Sequence, residues 1–183
     1  MKPALFTLFA ALTAQAAGIP LCLSKLTVTE NFSILRAQSI VTNVFSSAGV
    51  RVEWLSSSQC KNAPGGAIYV ILEASVPSKF KRETLGYSQP YNSGTAVHIF
   101  YGRIRQDHPT DLAVILGHTM AHEIAHVLQG IDRHSESGIM KAQWNWREYS
   151  DMHAGQLRFA SEDVELLQLG LKNLAVGNSA ARF

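Results

Sequence analysis

Three scarcities narrow the field before any motif is considered. Charged residues make up only 16% of the 183-residue chain, net charge is +2, and no run of like charges occurs. A phosphate-tracking surface needs clustered Lys and Arg, so nucleic-acid binding is excluded. The short cluster "KFKRE" (79–83) mixes signs and reads as a solvated loop. Low charge beside 46% hydrophobic residues also excludes an intrinsically disordered chain. Long apolar runs are missing too. No segment reaches the about 18 uninterrupted apolar residues that a membrane span requires. Cysteine is nearly absent, with Cys22 and Cys60 as the two representatives. A pair in an exported chain is expected to form one disulfide, tying the N-terminal segment to a loop after a strand. A rival use of Cys22 is as an inhibitory metal ligand that must be removed for activation.

The opening residues "MKPALFTLFAALTAQAAG" read as a signal peptide. Lys2 supplies a charged start, Ala4 to Leu12 an apolar stretch, and Ala14-Gln15-Ala16 a small-x-small cleavage site. Residues 1–17 are therefore expected to leave. The mature domain, 18–183, is expected to be secreted, extracellular or periplasmic, with no membrane attachment after cleavage.

Further on, "TENFSILRAQSIVTNVFSSAGV" (29–50) places Phe32, Leu35, Ile40, Val44 and Phe45 near helical spacing, with Thr29 as cap and Gly49 as stop. "VRVEWL" (50–55) and the continuous run "AIYVILEASV" (67–76) read as strands, the second a central one. Residues 56–66 read as loop. "LGYSQPYNSG" also reads as loop, and a strand follows from Thr95 to Tyr101. The longest helical pattern is "PTDLAVILGHTMAHEIAHVLQG" (109–130), capped by Thr110 or Asp111 and stopped at Gly130. A turn at Gly138, a Trp-rich connection and a helix near 161–172 capped by Ser161 complete the chain. Helix, strands, long helix, turn and helix without repeats or linkers imply one α+β domain.

The long helix carries the chemistry. Between Asp111 and Asp132 its only formally charged residue is Glu123. Ala113, Gly117, Met120, Ile124 and Leu128 share one face, while His122 and His126 lie opposite. Imidazoles at i and i+4 point the same way and can bind one metal ion, with Glu123 at its edge. Zinc there would acidify a water and polarise a carbonyl, and Glu123 would take the water's proton. A third ligand is needed, and both Asp132 and His134 follow the helix. His118 cannot join them, because i and i+8 lie about 12 Å apart along a helix axis; it reads as a core residue. His98, His108 and His153 carry no assigned role.

His122, Glu123, His126 and Met140, in this order, resemble the metzincin clan of zinc peptidases over roughly residues 29–170, and in particular short exported bacterial metzincin-like proteins. The resemblance implies a zincin-type α+β fold: a small twisted mixed sheet, an N-terminal helix, the active-site helix, a methionine turn and a C-terminal helix. It implies a monomeric zinc endopeptidase with Zn2+ on three residues and Glu123 as general base. It also implies an apolar floor at Met140, and a peptide or protein substrate added antiparallel to an edge strand near Thr95–Tyr101. Asp132 stands at the clan's usual offset for the third ligand. Gly130, however, comes four residues after His126 instead of three, with Gln129 in the usual place, so the chain leaves the helix late. His134 is the expected ligand on that ground and because imidazole is the commoner choice. Asp132 is then expected to cap the turn or hold Arg133. A second departure is Ala142, at a place where some members carry Tyr, so Tyr149 receives no role. Trp144 and Trp146 are expected in the core or in a pocket wall. The rival enzyme reading is a gluzincin-type peptidase with Glu148 or Glu162 as third ligand. A rival outside enzymes is a zinc-holding binding or structural protein without turnover.

Overall fold

Five strands and six helices among the described residues form the α+β fold expected from the pattern of elements. In chain order these are β1 (Ile19–Ser24), α1 (Asn31–Ser47), β2 (Val52–Trp54), α2 (Ser57–Cys60), β3 (Ile68–Leu72) and β4 (Gly86–Ser88). They continue as β5 (Ala96–Ile99), α3 (Tyr101–Asp107), α4 (Leu112–Gln129), α5 (Trp146–His153) and α6 (Ser161–Ala180). The computed structural model describes residues 18–24, 31–63, 65–89 and 95–180, without the side chains of Asn31 and 175–180. The expected signal segment and the expected cap Thr29 lie outside the described residues.

An apolar helix must be surrounded to be stable in water, and α4 is. Every residue of it except Val127 is buried, because α1, α3, α5, α6, β4 and β5 all pack against it. Each fully buried Leu or Ile there contributes about 1.5–3 kcal/mol. The approach of α1 depends on Gly117, where a Cβ would stand 2.8 Å from Ile40 Cβ and 3.0 Å from the Ala37 carbonyl oxygen. Overpacking of that kind costs about 1–3 kcal/mol. At the other end Gly130 stops α4 as expected. It adopts φ 69, left-handed, and its N–H bonds the His126 carbonyl, a conformation that glycine reaches without a Cβ penalty. Asp111 stands at the N-cap position but makes no side-chain capping bond.

The sheet order is β2-β1-β3-β5-β4, with all pairs parallel except β4 with β5. The expected central strand is β3. Its Ile68, Val70 and Leu72 are buried while Tyr69 is exposed, so one face of the strand meets the core.

Several expectations need correction. The strand near Thr95–Tyr101 is not an edge: β5 is shorter than expected and is paired on both sides, by β3 and β4. The edge is β4, inside a stretch that reads as loop, and it already occupies the antiparallel place assigned to substrate beside β5. Residues after Ile99 turn at once into α3. On α1 the buried face is Ile34, Ala37, Val41, Val44 and Phe45, whereas Phe32 and Leu35 are exposed. Ser161 is the first residue of α6, and it is the Ala160 carbonyl that accepts from Asp163 and Val164. The disulfide Cys22–Cys60 is present with Cα atoms 5.7 Å apart, joining β1 to the end of α2. That bond removes Cys22 from the possible metal ligands.

Candidate metal centre

One turn of α4 separates His122 from His126, so both rings leave the helix on the same side. Each ring is fixed at its far nitrogen. His122 Nδ1 donates to the Ile139 carbonyl at 2.8 Å, and His126 Nδ1 to the Ile131 carbonyl at 3.1 Å. A carbonyl can only accept, so each Nδ1 carries hydrogen and each neutral ring presents a bare lone pair at Nε2. Those two Nε2 atoms face each other at 3.1 Å. A proton between them would require an imidazolium. Burial first, and then the His126 ring, push His122 down to about 3; His126 is lowered as well, chiefly by burial. Two facing lone pairs repel unless a cation lies between them. Ligands about 2.0–2.1 Å from a tetrahedral ion would stand about 3.3 Å apart, close to the observed separation.

His134 completes the set. Its ring lies 5.2 Å from that of His122 and 5.0 Å from that of His126, centroid to centroid. Ligand atoms of the three residues all fall within 4.8 Å of one another. Two of the three histidines are buried and His134 is exposed, so the third member of the group sits where the site meets solvent. Three imidazoles suit a first-row divalent ion. Asp132 does not belong to the group. It lines the cleft, and its charge raises both Glu123 and His126.

Glu123 follows the first histidine and is only 7% exposed. Burial pushes its carboxyl up to about 7, against a lowering bond from Ser88 and with a further rise from Asp132. Ser88 Oγ donates to Glu123 Oε2 at 3.0 Å. The strand that brings Ser88 there can do so because Gly86 has no side chain. A Cβ at Gly86 would meet the His98 carbonyl oxygen at 2.9 Å and Glu123 Cγ at 3.1 Å. Neither Gly86 nor Ser88 was visible as a site residue, since a three-residue strand rich in turn formers carries no periodic signal.

The turn at Ile139 and Met140 reaches the histidine group through the Ile139 carbonyl, which holds His122. Met140 is fully buried, and its carbonyl accepts from the Ser135 N–H at 2.8 Å. The Ile139 carbonyl that holds His122 also accepts from Trp144 Nε1 at 3.3 Å. Trp144 sets its ring edge-on to His122 at 5.9 Å and forms a cleft wall as expected. Trp146 is 73% exposed and is neither core nor wall, which corrects the expectation for that residue. His118 is buried and donates Nδ1 to the Val114 carbonyl at 2.8 Å, a core role. The two glutamates of the gluzincin alternative are engaged elsewhere. Glu148 takes Lys141 Nζ on both oxygens at 2.8 Å and caps α5. Glu162 takes Arg133 at 2.6 Å. Neither joins the histidine group, because each faces a cation of its own.

Beside the histidines opens a cleft of about 1100 Å³, lined by the residues of β4 and by Ala142, Gln143 and Trp144 among others. Comparison of the chain with protein-family models, with curated proteins and with solved structures yields no match.

Proposed function

We propose that this chain is a metal-dependent hydrolase whose ion is held by His122, His126 and His134. The observation that carries the reading is the pair of Nε2 lone pairs 3.1 Å apart, each with its Nδ1 tied to a carbonyl. More particularly, the ion is zinc and the bond cleaved is a peptide bond, as the resemblance to metzincin endopeptidases implies. Zinc, when bound, supplies Lewis acidity that polarises a carbonyl and eases deprotonation of water.

The remaining work falls to the protein. Glu123 is the general base: Ser88 holds its Oε2, leaving Oε1 to take a proton from the attacking water and pass it to the leaving nitrogen. A carboxyl raised to about 7 by burial is matched to that exchange near neutral pH. Substrate lies along the open side of β4, the strand at the end of the sheet, where main-chain pairing would give affinity and side-chain pockets selectivity. The protein works as an exported monomer. Its disulfide suits an oxidising compartment, and no helix among the described residues is long and apolar enough to cross a membrane.

The test is digestion of a denatured protein mixture by the zinc-loaded chain, with and without chelator. Chelator-sensitive internal cleavage is expected. A zinc-loaded protein that cleaves nothing would leave the rival reading of a zinc-holding protein without turnover.

A further inference from the structure

We propose that Asp163 is a positioning residue for His134, holding the residues on both sides of that ligand and thereby setting the affinity for zinc. This rests on the reading of His122, His126 and His134 as the metal site.

His122 and His126 need little further support, because a buried helix carries them and two backbone carbonyls orient their rings. His134 lies outside any helix, is exposed, and among the described residues has no counterpart of those carbonyls. Its place must come from its neighbours in the chain. Both neighbours reach the same atom. Ser135 Oγ donates to Asp163 Oδ1 at 2.6 Å, and Arg133 reaches that oxygen at 3.2 Å. Arg133 also donates to Ser135 Oγ at 3.3 Å, which closes the triangle. Glu162 holds the other side of the same guanidinium. From the α4 side, Gln129 Nε2 donates to the Asp163 backbone carbonyl at 3.3 Å. The first turn of α6 therefore grips the chain from Gln129 to Ser135, with the metal ligand in the middle.

Asp163 is fully buried. A buried carboxylate is costly unless paired and hydrogen-bonded, and here the pairing partners are the two residues that flank His134. Its Oδ1 is directed at the ligand loop and not at the N–H groups of its own helix. The loop ligand thus stands in the geometry the ion needs before the ion arrives, which is the function of residues that orient metal ligands from behind.

The experiment measures zinc affinity of the full chain by competition with a chromophoric chelator, so hydrolysis is not the readout. Asp163→Asn keeps shape but loses the charge on Arg133, and Ser135→Ala removes one bond only. Both are expected to weaken zinc by about 10- to 100-fold, while Ser135→Thr, which keeps the hydroxyl, stays near wild type. The decisive arm is Asp163→Asn in a His134→Ala background. With the positioned ligand gone, the Asp163 change should alter affinity by less than about twofold. A purely structural Asp163 would weaken both backgrounds by the same factor, and that result overturns the proposal. Wild-type affinity in Ser135→Ala overturns it as well, and this variant carries the test should Asp163→Asn fail to fold. A wild-type chain that holds no zinc tightly overturns the metal site itself, and the positioning role with it.

Discussion

Replacing both cysteines by alanine is expected to destabilise the protein by about 4 kcal/mol. The bond joins residues 38 apart in sequence, and a cross-link closing a loop of that size removes about 13 cal/mol/K from the unfolded chain, or about 4 kcal/mol at 25 °C. Cys22 is buried at 2% exposure in β1, so losing its sulfur adds a small cavity cost in the same direction. For a domain of this size each kcal/mol moves the melting temperature by about 2–4 °C. The double variant should therefore melt about 8–16 °C below the oxidised wild type, and wild type under reductant should follow it. Zinc should be retained below the new melting point, since the histidines and the methionine turn all lie outside the segment 22–60. Thermal denaturation followed by circular dichroism, paired with metal analysis, separates the two effects. A melting temperature within about 2 °C of wild type would refute the entropy argument. Loss of zinc from the folded variant would show that the clamped loop supports the metal site.

Other expectations concern the site directly. Glu123→Gln should keep its zinc and lose about 10²- to 10⁴-fold in peptide hydrolysis, since the amide preserves an acceptor for Ser88 but takes no proton; wild-type rates would refute the assignment. In the same chelator competition His134→Ala should weaken zinc far more than Asp132→Ala does, leaving a measurable residual affinity from His122 and His126, and the reverse outcome would make Asp132 the third ligand. Gly86→Ala should lower hydrolysis while leaving zinc bound, because a Cβ there pushes β4 and Ser88 away from Glu123; unchanged turnover would show that β4 can yield at no cost. His118 makes an acid-sensitivity test. Burial lowers its pKa from the ordinary 6.5, so below that pH the unfolded chain takes up a proton the folded one resists. Stability contributed by the neutral ring is thus complete above about 6.5 and declines below it, by at most about 1.4 kcal/mol per pH unit. Denaturant midpoints at pH 7.5 and 5.5 should differ less in His118→Gln than in wild type, and equal declines would refute it.

What could be read from the sequence was what is local. Thirteen residues, His122 to His134, contain every proposed ligand, and a helix period with a glycine stop carries enough regularity to place them. The same regularity located α4 and the stronger parts of β3. Elements without a period escaped. "IPLCLS" contains a proline and abuts the expected cleavage site, yet becomes β1 with a partner on each side. Gly86–Ser88 is too short to alternate. Neighbour relations were equally hidden: nothing in "TAVHIFY" distinguishes a strand with two partners from one with a single partner. On α1 the apolar residues cover more than one face, and the packing of Ala37 and Ile40 against Gly117 selected the buried one. Asp163 was invisible for a different reason. It meets Arg133 and Ser135 across 30 and 28 residues, and no spacing rule reaches that far.

The strand order has a consequence in time. A chain made from its N-terminal end produces β1 first, and β2 and then β3 can each dock on it as they emerge. The sheet thus grows outward in the order of synthesis, except at one place. β4 is made before β5, the one strand it pairs with among the described residues, and must wait for it until residues 96–99 have been added and laid against β3. Ser88 then gains its bond to Glu123 only when α4, made later still, is in place. The strand that frames the cleft is therefore the last piece of the sheet to lock. A nascent chain completes that rim only after the helix bearing Glu123 has been made.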